Sequence, residues 1–255
     1  MNIRHLLVAF LLVTLAACGG QPEPSAAPAP TDAAEAAVAA AATATETVSE
    51  PTAESSGKPV ATSAQDWQFV EGKHFQRFTN AKGTSSSPDK IEVAEVFWYG
   101  CGHCFSFEPT IQKWTAGLGS DVSFVKIPVM WNPTTEVHGR LYYTIEALNL
   151  PKEAHGAVFS SIHVQRKMLA SEGAQKAFLT SKYDISEDDF EKAFRSFSVN
   201  GKIQQAKTLT QRYQVKSVPL LIINGKYAVT GDEVRSFEDM IAIAEELIAR
   251  ERAGQ

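Results

Sequence analysis

Cysteine, surplus charge and long apolar runs are all scarce in this chain, and each shortage narrows what it can be. Three cysteines in 255 residues, Cys18, Cys101 and Cys104, are too few for a disulfide framework in a domain of this size, so a buried core must supply the stability. Lys plus Arg total 24 against 29 Asp plus Glu, a net charge of -5 that excludes a nucleic-acid binder relying on a basic face. The acidity is also local. Residues 19–64 hold one base, Lys58, and six acids, which leaves 22 bases and 23 acids in 65–255. That near-neutral part neither steers a polyanion nor presents a polybasic membrane patch. At the N-terminus the apolar run Leu6 to Leu15 falls short of the roughly 20 residues that a membrane span needs.

What is present at the N-terminus reads as an address. Residues 1–17 have a short basic start, that apolar run and then small residues, the plan of a secretory signal. The junction Leu15-Ala16-Ala17-Cys18 resembles the lipobox of bacterial lipoproteins, in which the signal is cut before a cysteine that becomes lipidated. Cys18 is therefore expected to carry a lipid and to hold the protein at a membrane. From Gly19 to Ala64 there are 15 alanines among Pro, Thr, Ser and Glu, with no Leu, Ile, Phe, Tyr or Trp. Such a segment cannot bury enough apolar surface to offset its ordering entropy. We read 18–64 as lipidated cysteine plus tether, with a coil dimension of roughly 35 to 40 Å and a stretched reach of about 150 to 165 Å.

The hydrophobic content, 44%, supports one sizeable domain, placed at 65–255. Phe69 to Phe78 reads as a first strand interrupted at Glu71-Gly72. Ile91 to Trp98 is a nearly continuous apolar run, the mark of a strand covered on both faces. A helix with Phe107, Ile111 and Trp114 on one side is expected over Cys104 to Leu118, kinked at Pro109, and Val122 to Pro128 reads as another strand. Between about 134 and 213 only helical stretches are found, with a start at Ser186 and Asp189 and ends at Asn149-Leu150-Pro151 and Asn200-Gly201. Leu220 to Ile223 and Lys226 to Val229 form a hairpin around Asn224-Gly225. Ser236 opens a last helix with Met240, Ile241, Ala244, Leu247 and Ile248 on its apolar stripe.

The chemistry is concentrated in Cys101-Gly102-His103-Cys104, where a buried strand gives way to a helix. A thiol over a helix N-terminus meets unpaired amides and the positive end of the dipole, which favour a thiolate. Cys101 is thus the expected nucleophile, and Cys104, one turn on, lies within disulfide reach. Structural zinc is the competing use of such a pair, but His138, His155 and His163 follow at separations that match no common finger, so no metal is expected. An inert bridge closing so small a loop would remove little unfolded-state entropy. His103 can place a positive charge or an N–H near the thiolate. Glu95 interrupts a strand buried on both faces, where a carboxylate is costly without a task, and is the candidate base beside the dithiol. Glu92, near the strand end, is expected to be exposed. Lys126 either neutralises Glu95 or reaches solvent from an edge strand. Pro219 follows Val218 at a strand start, sterically allowed with a trans bond; a cis bond would turn the Val218 backbone toward the sulfurs, ready to pair with an extended peptide.

With these features in place, the chain resembles the DsbA family of exported thiol oxidoreductases over roughly 67–250. The resemblance rests on Val96-Phe97-Trp98-Tyr99-Gly100-Cys101-Gly102-His103-Cys104, on Val218-Pro219, and on Asn224-Gly225-Lys226-Tyr227. It implies an α/β, thioredoxin-like fold with a helical insertion between the third strand and a cis-proline hairpin. It also implies a cis Pro219, an acid and a lysine at Glu95 and Lys126, and no cofactor beyond the Cys101-Cys104 disulfide. The implied activity is donation of that disulfide to reduced, unfolded exported proteins through a mixed disulfide on Cys101, followed by reoxidation by a DsbB-type quinone-linked membrane protein. The expected location is the periplasm, lipid-anchored to a membrane, with Gly19 resembling an outer-membrane sorting signal. One departure is Gly102 where many members have proline. Gly-His between the cysteines resembles the dipeptide of protein disulfide isomerase, which is a milder oxidant than DsbA. The alternatives are a disulfide isomerase or reductase, and a tethered peptide-binding chaperone module with an idle dithiol.

Overall fold

The computed structural model describes residues 67–83 and 85–254. The signal segment 1–17, Cys18 and the tether to residue 64 lie outside the described residues.

Five strands form one mixed sheet in the order β1-β5-β4-β2-β3. β2 (Ile91–Phe97) is central and buried from Glu92 onward, as its apolar composition demands. It runs parallel to the edge strand β3 (Val122–Pro128) and antiparallel to β4 (Leu220–Ile223). β4 turns into β5 (Tyr227–Ala228) through Asn224, Gly225 and Lys226, with Asn224 and Gly225 left-handed at φ of 49° and 62° and the Lys226 amide closing the turn on the Ile223 carbonyl at 2.9 Å. β1 (Gln76–Arg77) closes the other edge against β5. It is shorter than the strand expected over Phe69 to Phe78. The amides of Lys73 and His74 both donate to the Val70 carbonyl, so that stretch coils into a turn before it can pair.

The sheet divides the core. One layer joins Val93, Leu221 and Ile223 to Phe107 and Ile111 of α1 (Gly102–Thr115) and to Ile243, Ala244 and Leu247 of α7 (Phe237–Arg252). The other joins Ala94, Val96, Phe97 and Ile222 to the insert, built of α2 (Pro133–Ala147), α3 (Glu153–His163), α4 (Glu172–Lys182), α5 (Glu187–Phe194) and α6 (Phe197–Arg212). α1 continues through Pro109 as one helix. Ser186 and Asp189 form the capping box of α5, and Ser236 with Asp239 forms that of α7. Asn149, at φ 50°, ends α2.

Two further expectations are corrected. Asn200-Gly201 lies inside α6 instead of ending a helix, because Ser196 caps that helix and Val199, Ile203, Ala206 and Leu209 bury at helical spacing across the pair. Burial of that stripe outweighs the glycine, which costs about 1 kcal/mol. Glu92 is 1% exposed instead of open to water. The loop before β2 folds over it, and its carboxylate accepts from the Ser85 amide and hydroxyl (both 2.8 Å) and from the Ser86 hydroxyl (2.6 Å).

Candidate active site

At the end of β2 the chain makes one tight turn, with the Cys101 amide donating to the Trp98 carbonyl at 2.9 Å, and α1 begins at the next residue. Cys101 is the N-cap of α1 in extended backbone, and its Sγ accepts the Cys104 amide at 3.3 Å. Cys101 is half-buried and Cys104 fully buried, and the two sulfurs are unbonded thiols. The Cys101 pKa is lowered to about 6, first by the hydrogen bond from the Cys104 thiol, against the effect of burial, and then by the amides of Cys104 and His103 and the nearby exposed His103 ring. A thiol of that pKa is mostly thiolate at pH 7, by about ten to one. Cys104 moves the opposite way, raised by burial and by the neighbouring Cys101 sulfur. The pair is therefore unequal, with one accessible anion and one sequestered thiol.

The Val218-Pro219 bond is cis, and its Val218 carbonyl lies 3.4 Å from the Cys101 sulfur, accepting a hydrogen bond when that sulfur is a protonated thiol. β4 thus brings residues more than a hundred positions away to the sulfur.

Beneath the dithiol lies a buried charge network. Parallel pairing sets Glu95 opposite Lys126 on β3, and their side chains form an ion pair in which Glu95 is 0% exposed. Although β3 is an edge strand, the Lys126 ammonium turns inward and also contacts Glu108 of α1 at 3.0 Å. Glu108 further accepts from Gln112 at 2.8 Å and from His155 of α3 at 3.3 Å, and the other ring nitrogen of His155 pairs with the Tyr99 hydroxyl at 2.8 Å. Burial raises the Glu95 carboxyl more than Lys126 lowers it. Burial works to raise Glu108 as well, but the bond from His155, the Lys126 charge and the Gln112 amide outweigh it and hold that carboxyl down to about 2. Lys126 stays above the ordinary lysine range because its two carboxylates overcome its desolvation. One Glu95 oxygen has no hydrogen-bond partner, and the Glu95 charge contributes to raising Cys104.

Glu108 and Gln112 have no place in the sequence reading, which has Tyr99 only as part of the family motif and His155 only among the histidines set aside as zinc ligands. Glu108 carries a faint signal, four residues after Cys104 and so on the same face of α1. His155 carries none, being 47 positions from the carboxylate it meets. Among the described residues no group of His, Cys, Asp and Glu side chains has the makings of a metal site.

This arrangement invites comparison with known proteins. The thiol:disulfide interchange protein DsbA of Pseudomonas syringae pv. tomato is 41% identical over 192 residues, covering 75% of this chain and 89% of that protein. The chain belongs to the DsbA family. The DsbA of Pseudomonas aeruginosa is 37% identical over 191 residues, 75% of this chain and 90% of its own length. Its crystal structure superposes with a TM-score of 0.69 at 36% identity, over 73% of this chain and 96% of that one. The DsbA of Xylella fastidiosa gives a TM-score of 0.67 at 28% identity, over 72% of this chain and 98% of that one. No protein-family model matches the chain. The fold is thus the thioredoxin-like fold of DsbA with its helical insertion, and the enzyme is a thiol:disulfide oxidoreductase.

Proposed function

We propose that this DsbA-family enzyme is an exported oxidase that donates its Cys101-Cys104 disulfide to reduced, unfolded proteins of the periplasm. The observation that carries the reading is the unequal pair: a half-exposed Cys101 with its pKa lowered to about 6 beside a buried Cys104. Stabilising the thiolate stabilises the reduced enzyme, and an enzyme whose reduced form is stable gives its disulfide away.

In the first step a substrate thiolate attacks the Cys101 sulfur of the disulfide. The S–S bond breaks, Cys104 leaves with the electron pair, and Cys101 and the substrate share a mixed disulfide. Cys104, whose pKa is raised by burial, takes up a proton, and the partnerless Glu95 oxygen is the nearby group suited to supply it. Lys126, shared between Glu95 and Glu108, compensates the charge that Glu95 acquires. A second substrate thiolate then attacks the substrate sulfur of the mixed disulfide and expels Cys101 as the thiolate. Two substrate thiols have become a disulfide, the enzyme has gained two electrons, and of the two substrate protons one restores Glu95 and the other goes to water. Val218 and Pro219 border the attacked sulfur, where an extended peptide would lie. A DsbB-type quinone-linked membrane protein would then remove the electrons.

Mixing the oxidised full chain with a reduced, unfolded test protein tests this reading. Stoichiometric substrate disulfides and reduced enzyme are expected, and transfer only from reduced enzyme to oxidised substrate would refute it. We further propose that residues 1–17 are removed and that Cys18 carries a lipid anchor, as the sequence Leu15-Ala16-Ala17-Cys18 supports. Cys18→Ser is expected to move the protein from the membrane fraction to the soluble fraction, with dithiol activity intact.

A further inference from the structure

The four residues from Trp98 to Cys101 decide where the reactive sulfur sits, and the insert holds them from the side. The Trp98 indole lies against Gly100 so closely that a Cβ there would come within 2.4 Å of the ring, which leaves glycine as the residue that fits. Three histidines of the insert then grip the first half of the turn. His138 of α2 accepts the Trp98 indole N–H at Nδ1 (3.0 Å), and its Nε2 donates to the Met168 carbonyl (2.8 Å). His155 of α3 meets the Tyr99 hydroxyl at Nδ1, and its Nε2 faces the Glu108 carboxylate. His163, at the end of α3, donates from Nε2 to the Tyr99 carbonyl (2.8 Å). The His163 ring also stacks on Phe105 at 4.9 Å and 7° between planes, so this one side chain touches the chain on both sides of the Cys-Gly-His-Cys motif.

The partners dictate the proton positions. An indole only donates and a carbonyl only accepts, so His138 carries its proton on Nε2, and so does His163. Glu108 is ionised, so His155 donates from Nε2 and accepts the Tyr99 hydroxyl at Nδ1. His138 and His155 each use both ring nitrogens, and burial pushes the pKa of both down, which keeps them neutral.

We propose that His138, His155 and His163 are positioning residues of the dithiol reaction, holding the Trp98-Tyr99 turn in the pose where the Cys101 sulfur meets the first amides of α1. The geometric reason is that the Cys104 N–H meets that sulfur, at 3.3 Å, only while the turn before the helix keeps its pose. Hydrogen bonds weaken steeply with angle and distance, so a turn free to rock would weaken this contact. The Cys104 amide of α1 holds the Cys101 sulfur directly, and three ties from the separately packed insert hold Trp98 and Tyr99, the two residues that lead into that N-cap.

The inference rests on the thiolate reading of Cys101 given above. His155 also donates to Glu108, so His163→Ala and His138→Phe are the cleaner substitutions. Phe190→Leu serves as control, because Phe190 is buried in the insert against Phe194 and is away from the turn. The readouts are the thiolate ultraviolet absorbance against pH and the equilibrium constant with glutathione, both on the full chain. The two histidine variants are expected to raise the thiolate midpoint by about one unit, a tenfold loss of thiolate below it. They should also make the enzyme about tenfold easier to oxidise, about 30 mV for this couple. His163→Gln, which keeps a donor, should lie closer to the wild type than His163→Ala. Phe190→Leu should lower the melting temperature and leave both midpoints alone. Histidine variants with wild-type midpoints, or a Phe190→Leu shift as large as theirs, would overturn the inference alone. A wild-type thiol titrating in the ordinary cysteine range would overturn the thiolate reading as well.

Discussion

Cys101→Ser abolishes disulfide exchange, and Cys104→Ser turns the enzyme into a trap for its substrates. The asymmetry follows from exposure and pKa together. Cys104 is fully buried and its thiol is held protonated, so without Cys101 no substrate can reach a reactive sulfur and the rate should fall by several orders of magnitude. Without Cys104 the Cys101 sulfur still sits over the α1 amides at half exposure and still forms mixed disulfides. No second thiol is then in place to release them. Non-reducing gels of Cys104→Ser mixed with disulfide-bearing protein should show an accumulating covalent complex, and Cys101→Ser should show none. Sustained turnover by Cys104→Ser, or a complex formed by Cys101→Ser, would reverse the assignment of the two sulfurs.

Lys126→Met is expected to destabilise the fold by about 3 to 5 kcal/mol at pH 7, because it leaves buried carboxylates without their cation. In the wild type Glu108 is held down to about 2, so its contribution is present above the unfolded carboxylate range and is lost as pH falls toward 2. Glu95 is raised, so it costs stability as pH rises above that same range. Removing Lys126 pushes both carboxyls upward. The deficit of the variant should therefore be smaller near pH 4, where the raised Glu95 carboxyl holds its proton, and largest at pH 7 and above. Urea unfolding of wild type and variant at both pH values measures it. Equal stability throughout would mean that Lys126 is not the counter-ion of this pair.

Much of this was legible in the sequence because the signals were local. Val122–Pro128 is the expected strand, Ser186 and Ser236 open helices as their capping boxes require, and Asn224-Gly225 turns the hairpin. The dithiol at the strand-to-helix junction announced itself by spacing alone. Glu95 stood out as a charge in an apolar strand, and strand register then settled that Lys126 faces it. The first strand is short because of a local turn at Val70, and the other misses come from tertiary contact overriding a local rule. Gly201 looked like a helix end until the Val199 to Leu209 stripe found a core. Glu92 looked solvent-bound until the Ser85-Ser86 loop covered it. The three histidines that hold Trp98 and Tyr99 come from 40 to 64 positions away, and no spacing rule links them to the turn.

The most direct test of the central claim is the equilibrium reduction potential of the Cys101-Cys104 pair in a glutathione series. A value above about -180 mV, on the side of DsbA at about -120 mV, is the result this account predicts for a net donor of disulfides with Gly102-His103 between its cysteines. A value near -270 mV, in the range of thioredoxin, would contradict it and make the enzyme a reductase.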